Sequence, residues 1–192
     1  KINLIGQVKM KYNKNDILGF ETDTVWGIGC HPENEDSVNK IYELKERDRT
    51  KPLILMSNDI QKLYPYIKNI PDYAKNLMDK FFPGGLTLIF EKTEKCPLFI
   101  TSNKNTVGIR IPNHSGFLDV AKNFKGGVLA TTSLNLSNKE PVKNYDEAIK
   151  IFGDKIKIIK PIDSIPPKGT ASTVVLCTGE KPIVLRQGEI II

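Results

Sequence analysis

Short apolar runs alternate with segments of helical periodicity along this chain. Residues 17–29 predict a strand that leads into a glycine-bearing turn, and residues 37–47 place apolar side chains at helical spacing. Pro52 ends that helical segment, because the residue before a proline disfavours the helical backbone. The apolar run that follows, residues 52–57, predicts a buried strand. A strand, a helix and a second strand in this order constrain the chain to a fold in which helices pack against a sheet.

The rest of the chain continues this alternation and ends in strands. Helices are predicted at residues 71–82, 117–124 and 145–153, and strands at residues 86–92, 106–112, 127–134, 156–160, 171–177 and 182–188. Because the last strands follow one another without helices, antiparallel neighbours are expected among them. The prediction is therefore an α/β (α+β) fold with a twisted mixed sheet and flanking helices. With 192 residues and 40% hydrophobic content, the chain has the size of one domain, residues 1–192.

Charge, cysteine content and hydropathy limit the partners and the cellular compartment expected for this domain. A net charge of +6 favours anionic partners such as nucleotides, RNA or phosphate. The three cysteines are far apart and odd in number, which predicts neither a disulfide framework nor a zinc site and favours the cytoplasm, or an organelle if a leader has been removed. His31 and His114 lack metal-ligand spacing, so no protein-ligated metal is expected. No apolar run reaches the roughly 18 residues that span a bilayer, and residues 1–16 lack the apolar run of a secretory signal, so no membrane partner is expected.

Four cations and two acids crowd residues 45–51, where a predicted helix ends. The backbone dipole favours cations at a helix C-terminus, so a solvated helix end is the simple alternative. Arg110 and Arg186 lie in apolar runs that predict core strands, and a half-buried arginine needs an anionic partner. An internal ion pair would also meet that need. Together, residues 45–52, Arg110 and Arg186 predict a cationic cleft that holds the phosphates of a nucleotide.

Segments rich in hydroxyl groups lie beside the strands that carry these arginines. They are residues 21–27, 130–138 and 168–173. Hydroxyls and backbone N–H groups suit phosphate or carboxylate oxygens, but the segments match neither the P-loop nor the dinucleotide-binding glycine pattern. Taken singly, each segment is more often part of a turn than of a ligand site. A nucleotide site in this chain would therefore be of another type.

Seven of these segments, in their order, resemble the YrdC-type threonylcarbamoyl-adenylate synthases. The resemblance runs from about residue 20 to residue 188 through ETDTVWGIG, KERDRTKPL, FFPGGLTLI, TVGIRIPNH, ATTSLNLS, ASTVV and LRQG. It implies a YrdC-like fold with a concave basic cleft, in the short form that has a single domain. It also implies a nucleotidyltransferase that converts L-threonine, bicarbonate and ATP to threonylcarbamoyl-AMP and pyrophosphate. The product would serve N6-threonylcarbamoyladenosine formation at position 37 of tRNA, and Mg²⁺ would be carried mainly by ATP.

The resemblance also implies roles for individual residues. The implied catalytic residues are Lys45 and Arg47. The implied ATP-binding residues are Arg47, Lys51, Thr106, Ser133 and Arg186. The implied L-threonine-binding residues are Thr24, Arg110, Thr131 and Ser172, with Arg110 on the carboxylate of threonine. The sequence departs from the family pattern at Lys51, which is often Asn, at Met56, often His, at Pro141, often Ser, and at Gln187, usually Pro.

The sequence also suggests partners for this chain and leaves alternative functions open. The resemblance implies a downstream threonylcarbamoyl-transferase machinery and allows direct binding of double-stranded RNA or tRNA. Residues 164–169, with two prolines, are expected to form a lid. The main alternative is a module that binds double-stranded RNA or tRNA through its basic concavity without catalysis. Another is a carbamoyl-adenylate domain like those within the longer hydrogenase-maturation proteins.

Overall fold

The computed structural model describes residues 10–163 and 165–192. Its strands are β1 (Leu18–Phe20), β2 (Gly27–Cys30), β3 (Ile54–Ser57), β4 (Leu86–Glu91), β5 (Thr106–Arg110), β6 (Val128–Ser133), β7 (Lys157–Ile158), β8 (Thr173–Leu176) and β9 (Ile183–Arg186). Its helices are α1 (Glu35–Lys45), α2 (Ile60–Leu63), α3 (Asp72–Phe81), α4 (Ser115–Asn123) and α5 (Tyr145–Phe152), and a 3-10 turn covers Tyr64–Tyr66.

All nine strands of the described chain join one sheet in the order β7-β1-β2-β6-β3-β5-β4-β8-β9. The pairs β1–β7, β3–β5 and β4–β8 are parallel, and the other neighbours are antiparallel. The predicted mixed sheet with flanking helices is thus confirmed. β5, which ends at Arg110, lies between β3 and β4 in the interior of the sheet.

Residues 17–29 form a hairpin of β1 and β2 rather than the single strand and turn that the sequence predicts. Leu18 pairs with Gly29, and Phe20 pairs with Gly27. Thr22 folds the connection, because its Oγ1 donates to the Val25 carbonyl at 2.6 Å and accepts from the Val25 N–H at 3.3 Å. Threonine hydroxyls stabilise turns in this way. The connection therefore presents residues 22–24 at the end of the sheet, where the candidate site lies.

Helix α1 ends in a way that directs the cationic segment. Asn34 caps its first turn by accepting from the Ser37 N–H at 3.1 Å. At its other end Glu46 has the left-handed conformation, with φ of 51°, and its N–H is bonded back to the helix. This turn ends the helix after Lys45, and residues 47–52 continue outside the helix. Lys45 is buried as a result, whereas Arg47 lies beyond the helix.

β9 differs from the expectation that Arg186 lies on a core strand. β9 is the last strand at one edge of the sheet, and its four residues are exposed, with Ile183 at 54% and Leu185 at 56%. An apolar run predicts a strand but not its neighbours, and in the described chain only β8 pairs with β9. Arg186 therefore approaches the site from an exposed edge.

Two groups of apolar side chains pack beside the sheet. The larger contains Trp26, Ile41 and Phe90, and the smaller contains Phe20 and Phe117, whose rings lie 5.2 Å apart. No helix among the described residues is long and apolar enough to cross a membrane. The single domain predicted for residues 1–192 stays a prediction, since residues 1–9 and Ser164 lie outside the described part.

Candidate functional site

A cavity of about 320 Å³ opens where the loops after β1, β6 and α1 meet β3, β5 and β8. Hydroxyl groups, three arginines and apolar side chains line it together. The lining residues are Thr22, Thr24, Val25, Trp26, Gly27, Arg47, Pro52, Ile54, Met56, Thr87, Ile89, Arg110, Thr131, Thr132, Ser133, Pro141, Ala171, Ser172, Val174 and Arg186. Such a lining suits an anionic ligand that also carries apolar groups.

Arg110 is the most deeply buried charge in this lining, with 4% of its surface exposed. Its Nε donates to the Gly84 carbonyl at 3.0 Å, its Nη1 donates to Thr24 Oγ1 at 2.8 Å, and its Nη2 pairs with Asp23. These bonds use three of the five guanidinium N–H groups and leave one on each terminal nitrogen. Burial lowers the pKa of Arg110 and the charge of Asp23 opposes that shift, so the side chain remains a cation at neutral pH. One N–H group on each terminal nitrogen thus has no bonded partner among the described residues.

Ser172 links the wall of the cavity to Arg186. Its Oγ lies 2.8 Å from Thr87 Oγ1 and accepts from Arg186 Nη2 at 3.2 Å. Its carbonyl accepts from Arg186 Nε at 3.0 Å. These contacts fold the Arg186 side chain back from the edge strand onto the cavity. Arg186, which the sequence predicts in the site, therefore lines the cavity, although the strand that carries it is exposed.

Lys45 lies beneath the cavity rather than in its lining, contrary to the expectation that it faces phosphates. Only 1% of its surface is exposed, and its Nζ donates to the Ser133 carbonyl at 2.5 Å and to the Asn135 carbonyl and Oδ1 at 2.9 and 2.8 Å. The reason is chemical, since three oxygen acceptors match the three donors of an ammonium group. Lys45 thereby fixes the loop after β6 that carries Ser133.

Asn135 is a residue of this site that the sequence prediction misses. Its Oδ1 accepts from Lys45 Nζ and from Ser133 Oγ, and its Nδ2 donates to the carbonyls of Leu136 and Lys139 at 2.9 Å. The amide of Asn135 therefore links the last residue of α1 to the loop after β6, from Ser133 to Lys139. Asn135 lies within residues 130–138, the segment rich in hydroxyl groups that the sequence analysis singled out. Its partner Lys45 on α1 is 90 residues away in sequence, so their contact could not be predicted.

Arg47 lines the cavity, whereas two other predicted ATP residues do not. Arg47 Nη2 donates to the Pro52 carbonyl at 3.0 Å. Lys51 is exposed outside the lining, and its carbonyl accepts from Tyr42 Oη at 2.7 Å. Thr106 begins β5, about 13 Å along the strand from Arg110 at the usual rise of a strand. The resemblance to the family implied an ATP-binding role for both residues, but neither lines the cavity.

The structure therefore brings most of the predicted residues together. The predicted residues in the cavity lining are Thr24, Arg47, Arg110, Thr131, Ser133, Ser172 and Arg186. Those outside it are Lys45, Lys51 and Thr106. Among the departures from the family pattern, Met56 and Pro141 line the cavity, whereas the Gln187 side chain bonds the carbonyls of Gly188 and Ile190.

One other group of side chains has the donors of a metal site. Glu21, His114 and Asp163 each offer a ligand atom, and these atoms lie within 4.8 Å of one another. The Nδ1 of His114 accepts from the Gly116 N–H at 3.1 Å, which assigns the ring proton to Nε2, the nitrogen that faces Glu21 at 3.7 Å. A protonated Nε2 has no lone pair for a metal. The group is therefore arranged for hydrogen bonding, and a metal would require His114 to give up its bond to α4.

Comparison with known proteins identifies the family. The sequence model of the Sua5, YciO and YrdC family, described as "Telomere recombination", matches residues 11–188. The chain belongs to this family, and the resemblance seen in the sequence is confirmed.

Individual relatives support this assignment. The chain is similar to a protein of Bacillus subtilis (strain 168) named threonylcarbamoyl-AMP synthase, with 36% identity over 189 residues, 97% of this chain and 54% of the relative. It is similar to Pyrococcus abyssi Sua5, solved in complex with L-threonine, with 32% identity and a TM-score of 0.81 over 90% of this chain and 50% of that one. Escherichia coli YciO shares the fold, with 23% identity and a TM-score of 0.76 over 91% and 84% of the two chains. The chain spans about half the length of the first two relatives.

The pKa of Lys45 generates a prediction of pH dependence. Burial, followed by the charge of Arg47, lowers this pKa to about 7. The hydrogen bonds to three oxygen acceptors oppose this shift, because they favour the protonated form. An ordinary lysine titrates near pH 10.4, so between about pH 7 and 10.4 the unfolded chain binds more protons than the folded chain. The free energy of unfolding of the wild type should therefore rise, relative to Lys45→Met, by up to about 1.4 kcal/mol per pH unit in this window.

Urea denaturation at several pH values measures this difference. Lys181→Met, at an exposed lysine, is the control and should follow the wild type throughout. A difference between wild type and Lys45→Met that stays constant or falls as the pH rises would show that the acceptors outweigh burial.

Proposed function

We propose that this cavity joins L-threonine, bicarbonate and ATP to form threonylcarbamoyl-AMP and pyrophosphate, which is a nucleotidyl transfer. The observation that carries the proposal is the buried guanidinium of Arg110 in a cavity that Arg47 and Arg186 also line. This reaction requires sites for a carboxylate and for phosphates, and the three arginines can serve both. The name of the Bacillus subtilis relative supports the choice of reaction.

The carboxylate of threonine would bind at Arg110. The free N–H on each terminal nitrogen can donate to the two oxygens of one carboxylate, a geometry that fixes position as well as charge. Thr24, Thr131 and Ser172 also line the cavity and would offer hydroxyl groups to the amino acid. Met56, buried on β3 and paired in register with Arg110, supplies an apolar surface beside it. That Pyrococcus abyssi Sua5 was solved in complex with L-threonine supports threonine as the ligand.

The phosphates of ATP would bind on the side of Arg47, Ser133 and Arg186. Both arginines are tied to carbonyl groups through part of their donors, which holds their charges near the cavity. Lys45 would contribute through the loop that it fixes, and direct contact with a phosphate would require its Nζ to leave three oxygen acceptors. Lys51 and Thr106 are not part of the lining, so we do not assign them this role.

The reaction needs alignment more than a protein nucleophile. The amine of threonine and bicarbonate give a carbamate with loss of water, and a carbamate oxygen then attacks the α-phosphorus of ATP. The new P–O bond forms as the bond to pyrophosphate breaks, and the negative charge moves onto the leaving group. Fixed arginines neutralise this charge, and the cavity aligns the two substrates. No Asp or Glu belongs to the lining formed by the described residues, so we propose that Mg²⁺ is carried mainly by ATP.

The product would be consumed in the modification of tRNA. A mixed anhydride with AMP is a reactive acyl donor, so we propose a threonylcarbamoyl transferase as the downstream partner. Cys30, Cys96 and Cys177 are buried free thiols, and burial raises their pKa values to about 12, 11 and 11. Such thiols suit the reducing cytoplasm that we propose for this chain. Catalysis is favoured over a purely RNA-binding module because the relatives are named as synthases.

Release of pyrophosphate tests the function directly. The purified chain is mixed with Mg-ATP, L-threonine and bicarbonate, and pyrophosphate is measured with a coupled enzyme assay. We expect release only when all three substrates are present, because the carbamate must form before it attacks ATP. Equal release without threonine, or none with the complete mixture, would contradict the proposal.

Arg110 should set the affinity for threonine. Arg110→Gln should weaken threonine binding by about 2–5 kcal/mol, the range for truncating one partner of a buried charged hydrogen bond. Arg110→Lys keeps a positive charge beside Asp23 but loses the two-pronged contact with a carboxylate. Compared with Arg110→Gln, it should therefore regain thermal stability but not threonine affinity. Calorimetric titration of threonine, together with thermal unfolding, separates these effects.

Arg49→Gln is the matched control for Arg110→Gln, because Arg49 is exposed and donates to Asn39 outside the cavity. It should leave threonine affinity unchanged. If a folded Arg110→Lys variant bound threonine as tightly as the wild type, the carboxylate site would lie elsewhere.

A further inference from the structure

We infer that His114 and Ser115 are positioning residues for threonine, which they affect through residues 165–169, here called the strap. The inference rests on the proposed function. The start of α4 holds one end of the strap, and the other end holds the loop that orients Arg110. The strap itself is absent from the lining of the main cavity, so it acts through the residues it contacts.

The first anchor is the ring of His114. Because Nδ1 accepts the Gly116 N–H, Nε2 carries the proton and can donate to the Ile165 carbonyl at 3.3 Å. The carboxylate of Glu21 lies 3.7 Å from the same nitrogen, and its Oε2 is buried without a hydrogen-bond partner. The side chains of His114 and Glu21 are only 4% and 10% exposed. The negative charge of Glu21 thus favours the tautomer that donates to the strap.

The second anchor is Asp163, whose two carboxylate oxygens have different donors. Oδ2 accepts from Ser115 Oγ, and Oδ1 accepts from the Ile165 N–H at 3.1 Å. Asp163 therefore joins the first residue of α4 to the first residue of the strap. The carbonyl of Ile165 is thus bonded directly by His114, and its N–H is bonded by Asp163, which Ser115 in turn holds.

The far end of the strap contacts the hairpin loop between β1 and β2. The N–H of Lys168 donates to the Asp23 carbonyl at 3.2 Å, and the N–H of Gly169 donates to the Thr24 carbonyl at 2.8 Å. Asp23 and Thr24 are the residues whose side chains hold the terminal nitrogens of Arg110. The strap is thus connected to Arg110 through two successive hydrogen bonds, one from the strap to Asp23 or Thr24 and one from that residue to Arg110.

Two prolines make this connection stiff. Pro166 and Pro167 separate the anchored residue from Lys168, and each proline ring fixes its own φ and restricts the residue before it. A displacement at Ile165 is therefore passed along the strap rather than absorbed by it. Residue Ser164, part of the lid expected from the sequence, lies outside the described residues, and the inference rests only on the strap and its anchors.

Loosening the anchor should affect threonine more than ATP or the chemical step. Loss of one net hydrogen bond corresponds to about a 2- to 10-fold change in binding, so Ser115→Ala should raise the KM for threonine by about that factor. The KM for ATP and kcat should stay within about 2-fold, since Arg47 and Arg186 do not contact the strap. A purely structural role would instead lower the amount of active enzyme and leave both KM values unchanged.

The experiment compares three single variants in the pyrophosphate assay. Ser115→Thr keeps the hydroxyl group and should restore the KM for threonine. Lys122→Ala removes an exposed side chain from the last turn of α4, at the opposite end of the helix from Ser115, so it should behave as the wild type. Equal KM values for threonine in Ser115→Ala and the wild type, or an equal rise in Ser115→Thr, would overturn the inference.

Hydrogen exchange supplies a readout that does not depend on the proposed function. The amide protons of Lys168 and Gly169 should exchange faster in Ser115→Ala than in the wild type, by about the same 2- to 10-fold, and Ser115→Thr should restore their protection. Unchanged exchange would overturn the inference even if the enzyme were active. Faster exchange in a chain without threonine-dependent activity would support the anchor and reject the proposed function.

The same preparation tests the competing interpretation of Glu21, His114 and Asp163 as a metal site. Zinc is added to the wild type and to Glu21→Gln, and thermal unfolding and bound metal are measured. We expect no bound zinc and no change in the midpoint of unfolding. Stoichiometric zinc that Glu21→Gln abolishes would overturn the anchor, because His114 Nε2 would then serve the metal instead of Ile165.

Discussion

The buried charge of Arg110 constrains the rest of the site. A guanidinium group that is 4% exposed is stable only when its donors are bonded and its charge is balanced. Here the balancing group is Asp23, and the further acceptors are Thr24 and Gly84. These partners come from the loop after β1 and the loop before β4, so one side chain fixes both loops at the end of the sheet. The same bonds fix the position of the Arg110 side chain in the lining of the cavity.

The strands that carry Arg110 and Arg186 differ in how firmly they are held. The Arg110 side stands on β5, in the interior of the sheet, and its hydroxyl neighbours are buried. The Arg186 side stands on β9, an exposed edge strand held by β8 and by the bonds to Ser172. We therefore interpret Arg110 as firmly preorganised and Arg186 as more able to adjust.

Much of the fold could be predicted from local pattern, since helices such as α1 and strands such as β5 carry clear periodicity. Arg110 was predictable as a strand-borne charge in need of a partner, and the structure supplies Asp23. The edge position of β9 was not predictable, because an apolar run is the same in a central and an edge strand. Lys45 could not be placed either, since its acceptors on Ser133 and Asn135 lie 88 and 90 residues along the chain. The anchor of the strap depends on contacts of the same long range.

A crystal structure with L-threonine and a non-hydrolysable ATP analogue would locate both substrates relative to Arg110. We expect the carboxylate of threonine to lie within about 3 Å of both terminal nitrogens of Arg110, with Asp23 and Thr24 still in place. The phosphates should lie beside Arg47 and Arg186. Threonine bound in another cavity, with the free donors of Arg110 turned to protein or solvent, would contradict the assignment of Arg110 as the carboxylate site.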